Sequence, residues 1–154
     1  MQATNLELQD LERPDVVALD KDGKIVLIVE VKGFPFDSNP KKTKENAILQ
    51  ILDYLKASKT LITFAMFVDL QNILVFQWNG YNLSEILSLN TGDILSYYEP
   101  AFNQKQIFNL YLTGLIEAWI SDFCYHWKSK IPPASKEIAE IGLSQLLKGG
   151  ITQP

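Results

Sequence analysis

Between Arg13 and Gly33 two apolar runs flank the turn dipeptide Asp22-Gly23, and three charged side chains, Asp15, Glu30 and Lys32, sit where those runs begin and end. A charge in apolar surroundings is costly unless it is paired or holds a metal. Keeping three of them on one hairpin points to use. Asp22-Gly23 is a dipeptide that closes a two-residue hairpin loop, and with that loop paired residues have numbers that sum to 45; a three-residue loop with a bulge would change that register. Asp15 is then opposite Glu30. Side chains opposite one another on paired strands share a face, with Cβ atoms about 4.5–5.5 Å apart. Lys32, two residues on, shares that face too. Val17, Leu19, Val26 and Ile28 are expected behind them, and Val16, Ala18, Ile25, Leu27, Val29 and Val31 on the other side. With both faces apolar, the sheet should be covered on both.

The elements that follow read as a mixture of helix and strand. Residues 41–57 have helical periodicity, with Ala47, Gln50, Ile51 and Tyr54 on one face and Ile48, Leu52 and Leu55 packing the helix. Gln50 stands out because glutamine is seldom buried without a partner. Tyr54 has two readings, a core residue with its hydroxyl at the edge or a substrate contact. Leu61 to Asp69 and Ile73 to Trp78 are rich in strand formers, with a turn at Leu70-Gln71-Asn72. A looser region, with a short helix near Leu83–Leu87, reaches Pro100. One helix is expected from Phe102 to Lys128, ended by Pro132-Pro133, and a last one from Ser135 to Lys148, stopped by Gly149-Gly150. The expected fold is α/β, a mixed sheet flanked by helices, forming one domain over residues 1–154. Its core would span 13–78 and a helical extension 101–150, whose long helix would cover the sheet.

With these elements in place, the residues resemble a known family. Pro14-Asp15 followed by Glu30-Val31-Lys32 matches the PD-(D/E)xK nuclease superfamily, with its restriction-endonuclease-like fold. Gln50 and Tyr54 add the Gln-x-x-x-Tyr pattern of its RecB-like branch. Arg13 before the Pro-Asp and Gly33 after the lysine are similar to the nuclease domain of type I restriction subunits. The resemblance covers about residues 13–78. It implies an αβββαβ core, usually opened by a helix that contributes a further glutamate. Twelve residues precede Arg13, so that helix would be absent or short, and Glu7 and Glu12 are the candidates for its acid. The resemblance further implies that Asp15, Glu30 and the Val31 carbonyl bind Mg²⁺, with Mn²⁺ as an alternative. Lys32 would orient the attacking water or stabilise the transition state, and Gln50 would position the water or the DNA backbone.

Charge and composition bear on partners. The net charge of −4 does not advertise a nucleic-acid binder, but residues 32–59 are net +3, leaving −7 for the rest. Lys41, Lys42 and Lys44 precede or open a helix, where the dipole disfavours cations. They form either a basic lip for a phosphate backbone or a solvated surface. Arg13, the only arginine, contacts a phosphate or pairs with an acid. The single cysteine excludes an internal disulfide. The absence of a charged-then-apolar leader adds to the expectation of a cytoplasmic protein. The apolar stretch from Ile107 to Phe123 is broken by Asn109, Thr113, Glu117, Ser121 and Asp122 and reads as a buried helix, not a membrane span. Cys124 and His126 are alone of their kinds, so neither a zinc site nor a Cys–His nucleophile with a second histidine is available. The expected activity is metal-dependent hydrolysis of DNA. The alternative is an inactive nuclease-like fold that binds DNA or protein as an assembly module. DNA is the expected partner, and the C-terminal helices could carry a homodimer or a larger DNA-processing complex.

Overall fold

The structure, a computed structural model, describes residues 12–35 and 38–154. Six strands form one mixed sheet: β1 (Val16–Leu19), β2 (Ile25–Lys32), β3 (Phe64–Asp69), β4 (Asn72–Trp78), β5 (Leu83–Asn90) and β6 (Ile151–Gln153), in the spatial order β5-β4-β3-β2-β1-β6. β2 and β3 are parallel, joined by helix α1 (Pro40–Ala57), and every other pairing is antiparallel. Two strands precede α1 among the described residues, where the resemblance implies three. Residues 1–11, with the candidate acid Glu7, lie outside the described residues.

The hairpin keeps the expected register although it has the three-residue loop and bulge expected to change it. Asp20 and Lys24 close a three-residue loop, with Asp20 N–H donating to the Lys24 carbonyl at 2.8 Å and Gly23 at φ +82°. Glycine suits that left-handed position, because a β-carbon there is strained. Such a loop alone would shift the register by one residue. A bulge restores it: Leu19 pairs with Ile25 but Ala18 with Leu27, leaving Val26 as the extra residue. From Ala18–Leu27 to Val16–Val29 the pairs sum to 45 as expected. The bulge also exchanges two side chains between faces. Val26 packs with Val16, Ala18, Leu27, Val29 and Val31, while Ile25 packs with Val17, Ile28 and Leu19.

Each face of the sheet has its own helical cover. α1 lays Ala47, Ile51, Tyr54 and Leu55 over the face that carries Val17, Ile28, Ala65 and Phe67. Asn39 caps it by accepting the Lys42 N–H at 3.2 Å, and Pro40 occupies its first turn. On the opposite face lies α3 (Asn109–Tyr125), whose Leu112, Ile116, Trp119, Ile120 and Phe123 pack onto Val16, Leu27, Val29 and Val31.

The remaining elements depart from expectation. Residues 83–87 belong to strand β5 rather than a helix. Phe76 pairs with Glu85 but Val75 with Leu87, so Ile86 bulges and the alternation that marks a strand is broken. After β5 come α2 (Thr91–Leu95) and a 3₁₀ turn at Phe102–Gln104, and α3 starts seven residues later than expected. It stops at Tyr125, where His126 takes φ +50° and donates its N–H to the Asp122 carbonyl, well before Pro132-Pro133. The expected last helix is two, α4 (Ser135–Glu140) and α5 (Leu143–Leu147), separated by Gly142 at φ +87°. β6 then covers the edge of β1. Gly150 passes so close that a Cβ there would lie 1.9 Å from the Leu19 carbonyl oxygen. Among the described residues no helix is long and apolar enough to cross a membrane.

Candidate functional site

The site lies where β1 begins and β2 ends, on the α1 side of the sheet. Val17 and Ile28 face α1, so by alternation Asp15, Glu30 and Lys32 do too. The observed register, continued one residue past Val16–Val29, sets Asp15 opposite Glu30. Asp15 Oδ2 accepts the Val31 N–H at 2.6 Å, which ties the start of β1 to the end of β2. In a strand the N–H and C=O of one residue point to the same side. The Val31 carbonyl therefore also faces the Asp15 side, beyond the last ladder pair of β1. Glu30 is buried, with 6% of its surface exposed, while Asp15 and Lys32 are half-buried.

The electrostatics follow from two acids in one partly dry place. Burial pushes the Glu30 carboxyl up to about 7, and the neighbouring Asp15 and Glu12 charges push the same way; Lys32 opposes them. Burial also raises Asp15, against the Val31 N–H and Lys32, which favour its charged form. The one lysine nearby does not offset the desolvation of both acids.

Gln50 approaches from α1 and donates Nε2–H to Glu12 Oε2 at 2.7 Å. Glu12, one of the two acids proposed for an opening helix, is thus held at the site by Gln50. Tyr54 is buried in the core between α1 and the sheet. Arg13, Lys41, Lys42 and Lys44 are exposed. Lys41 and Lys42 lie in the first turn of α1, which has no acidic residue, and Lys44 follows next to Glu45.

A cleft of about 740 Å³ opens beside Lys32 and Gln50. Thr43, Asn46 and Ala47 of α1 form one wall, the Asp69–Gln71 turn another, and Phe34, Pro35 and Asn109 a third. Asp15 and Glu30 are not among its lining residues. Asn109 was not legible as a site residue, because no local pattern connects it with the hairpin. Its Oδ1 accepts the Gly33 N–H at 2.6 Å, and backbone bonds from Phe34 N–H to Ile107 O and from Asn109 N–H to Phe34 O complete the clasp. Gly33 permits it: a Cβ there would stand 3.0 Å from both Asn109 Cα and the Ile107 carbonyl oxygen.

Carboxylate and carbonyl oxygens are the donors that Mg²⁺ and Mn²⁺ prefer. Among the described residues no group of three or more histidine, cysteine or acidic side chains is placed to hold a metal. The oxygens that could serve a cation here are two carboxylates and one carbonyl. That set fits Mg²⁺, which keeps several waters and takes few protein ligands. No family model, curated protein or solved structure matches the chain.

Proposed function

We propose that this protein is a metal-dependent deoxyribonuclease of the PD-(D/E)xK type, built on a restriction-endonuclease-like arrangement of its mixed sheet. The observation that carries the reading is the meeting of Asp15, Glu30 and Lys32 at one strand end, with both acids held above their ordinary range. Two like charges kept together in a partly buried place are explained most simply by a cation that joins them. Packing alone gives no reason to retain them.

In this mechanism the Asp15 and Glu30 carboxylates and the Val31 carbonyl would hold Mg²⁺ or Mn²⁺. Such an ion, when bound, would supply a more acidic water and neutralise charge on the scissile phosphate. Asp15 Oδ2 stays with the Val31 N–H, which fixes the carboxylate plane. Lys32, between the acids and the cleft, presents its ammonium to the phosphate and stabilises the negative charge that grows as the bond to the leaving oxygen breaks. Gln50, oriented by Glu12, positions the water or the DNA backbone. Lys41, Lys42 and Lys44 attract the phosphates of the flanking strand, and the exposed Arg13 is a further phosphate contact.

The test is incubation with plasmid and single-stranded DNA in Mg²⁺, in Mn²⁺ and in EDTA, comparing the parent with Lys32→Ala. Metal-dependent cleavage by the parent, lost in the variant while DNA binding persists, supports the reading. Absence of cleavage of every DNA form, or equal cleavage by both proteins, refutes it.

A further inference from the structure

The cleft beside Lys32 is unlike a groove for a phosphate backbone. Lys32 and Asp69 are the charged residues that line it, so among the described residues its wall has no net charge. Asp69 is partly committed, since its Oδ1 accepts the N–H groups of Gln71 and Asn72 at 2.9 and 2.7 Å. The rest of the lining combines apolar residues, among them Phe34, Pro35 and Leu70, with the amide side chains of Asn46, Gln50, Gln71 and Asn109. Amides carry donors and an acceptor in one plane, which is the complement of a base edge. Asn109 Oδ1 accepts the Gly33 N–H, leaving its NH₂ as donor. At about 740 Å³ the cleft is within the range of small-ligand sites and too small for a duplex.

We propose that this cleft takes an unpaired nucleobase next to the phosphate held at Lys32, so that the site acts on single-stranded or locally opened DNA. A flat, neutral, hydrogen-bonding group satisfies an amide-lined, apolar-floored cleft, whereas a polyanion would meet Asp69 and gain little. Base edges are accessible in this way only when a nucleotide is unpaired. The inference rests on the nuclease reading only for the placement of the phosphate.

The experiment measures binding by fluorescence anisotropy in EDTA, using the Glu30→Gln protein so that no strand is cut. Three labelled probes are compared: a short mixed-sequence single strand, an abasic strand of equal length, and the duplex. The base-bearing single strand should bind about tenfold more tightly than the abasic one. Asn46→Leu combined with Gln71→Leu, both at exposed positions, should shrink that difference and leave the abasic affinity unchanged. Equal affinity for the two single strands, tighter binding of the duplex, or binding of none of the three overturns the proposal. The two readings fail separately. A base preference in a protein that never cleaves DNA removes the nuclease and keeps the cleft assignment. Cleavage by the parent without a base preference does the reverse.

Discussion

Replacing Glu30 by glutamine should stabilise the metal-free protein at about pH 8 and leave it nearly unchanged at about pH 5. The folded state holds the Glu30 proton up to about pH 7, against an ordinary value of 4.5. A proton bound more tightly in the folded than in the unfolded chain stabilises the fold fully below the unfolded value. That contribution is lost as pH rises through the folded one. A displacement from 4.5 to about 7 corresponds to about 3 kcal/mol once the group is fully ionised. With 6% of its surface exposed, Glu30 has little solvent to screen this cost. Glutamine keeps the shape, removes the charge and places an NH₂ donor opposite Asp15. Asp15, whose carboxyl burial and the Glu12 charge also raise, contributes with the same sign in parent and variant alike and so does not alter their difference. Glu99 does not confuse the window. The Tyr111 hydroxyl and then Lys105 hold it down at about 2, so its stabilisation is lost only at acid pH. The assay is urea denaturation of parent and variant in EDTA at both pH values. The variant should gain up to about 3 kcal/mol at the higher pH with an unchanged m-value. A parent midpoint that is flat between the two pH values, or a variant less stable at the higher one, would refute the reasoning.

Two further outcomes follow from the same geometry. Gly33→Ala forces a Cβ to within 3.0 Å of the Ile107 carbonyl oxygen and Asn109 Cα. Because both neighbours are backbone, the fold should lose about 1–3 kcal/mol by denaturant titration; an unchanged midpoint would show that the 107–109 segment moves freely. Lys41→Ala with Lys42→Ala should weaken DNA binding, reduce its salt dependence by about one per lost phosphate contact, and slightly stabilise α1 by removing cations from its N-terminus. Unchanged affinity across a salt series would assign these lysines to a solvated surface.

The register that opposes Asp15 to Glu30 was legible because apolar alternation on both strands penalises any slip. The loop that produces it was not, since a three-residue turn and a bulge at Val26 cancel in their effect. The same bulge moved Ile25 and Val26 to faces opposite those expected. α1 was legible because Ala47, Ile51, Tyr54 and Leu55 recur at helical spacing in its C-terminal half. β5 was hidden by the bulge at Ile86. β6 was hidden by its three-residue length, and it exists because β1 offers a free edge that Gly150 can approach closely. The long apolar pattern from Phe102 to Lys128 hid both ends of α3. Its start is set by the clasp with residues 33 and 34, and its end by Asp122, fully buried, which accepts the Tyr98 hydroxyl and the N–H groups of Lys128 and Ser129. Asn109 and Asn46 escaped notice as cleft residues for the same reason: contacts distant in sequence leave no local pattern.

The proposed function stands or falls with a cation site formed by Asp15 and Glu30 together. The direct measurement is calorimetric titration of Mn²⁺ into the parent and into Asp15→Asn at about pH 8, where both acids are ionised more fully. The parent should bind one ion saturably, and the variant should lose at least about tenfold in affinity. Superimposable isotherms for the two proteins would contradict such a site.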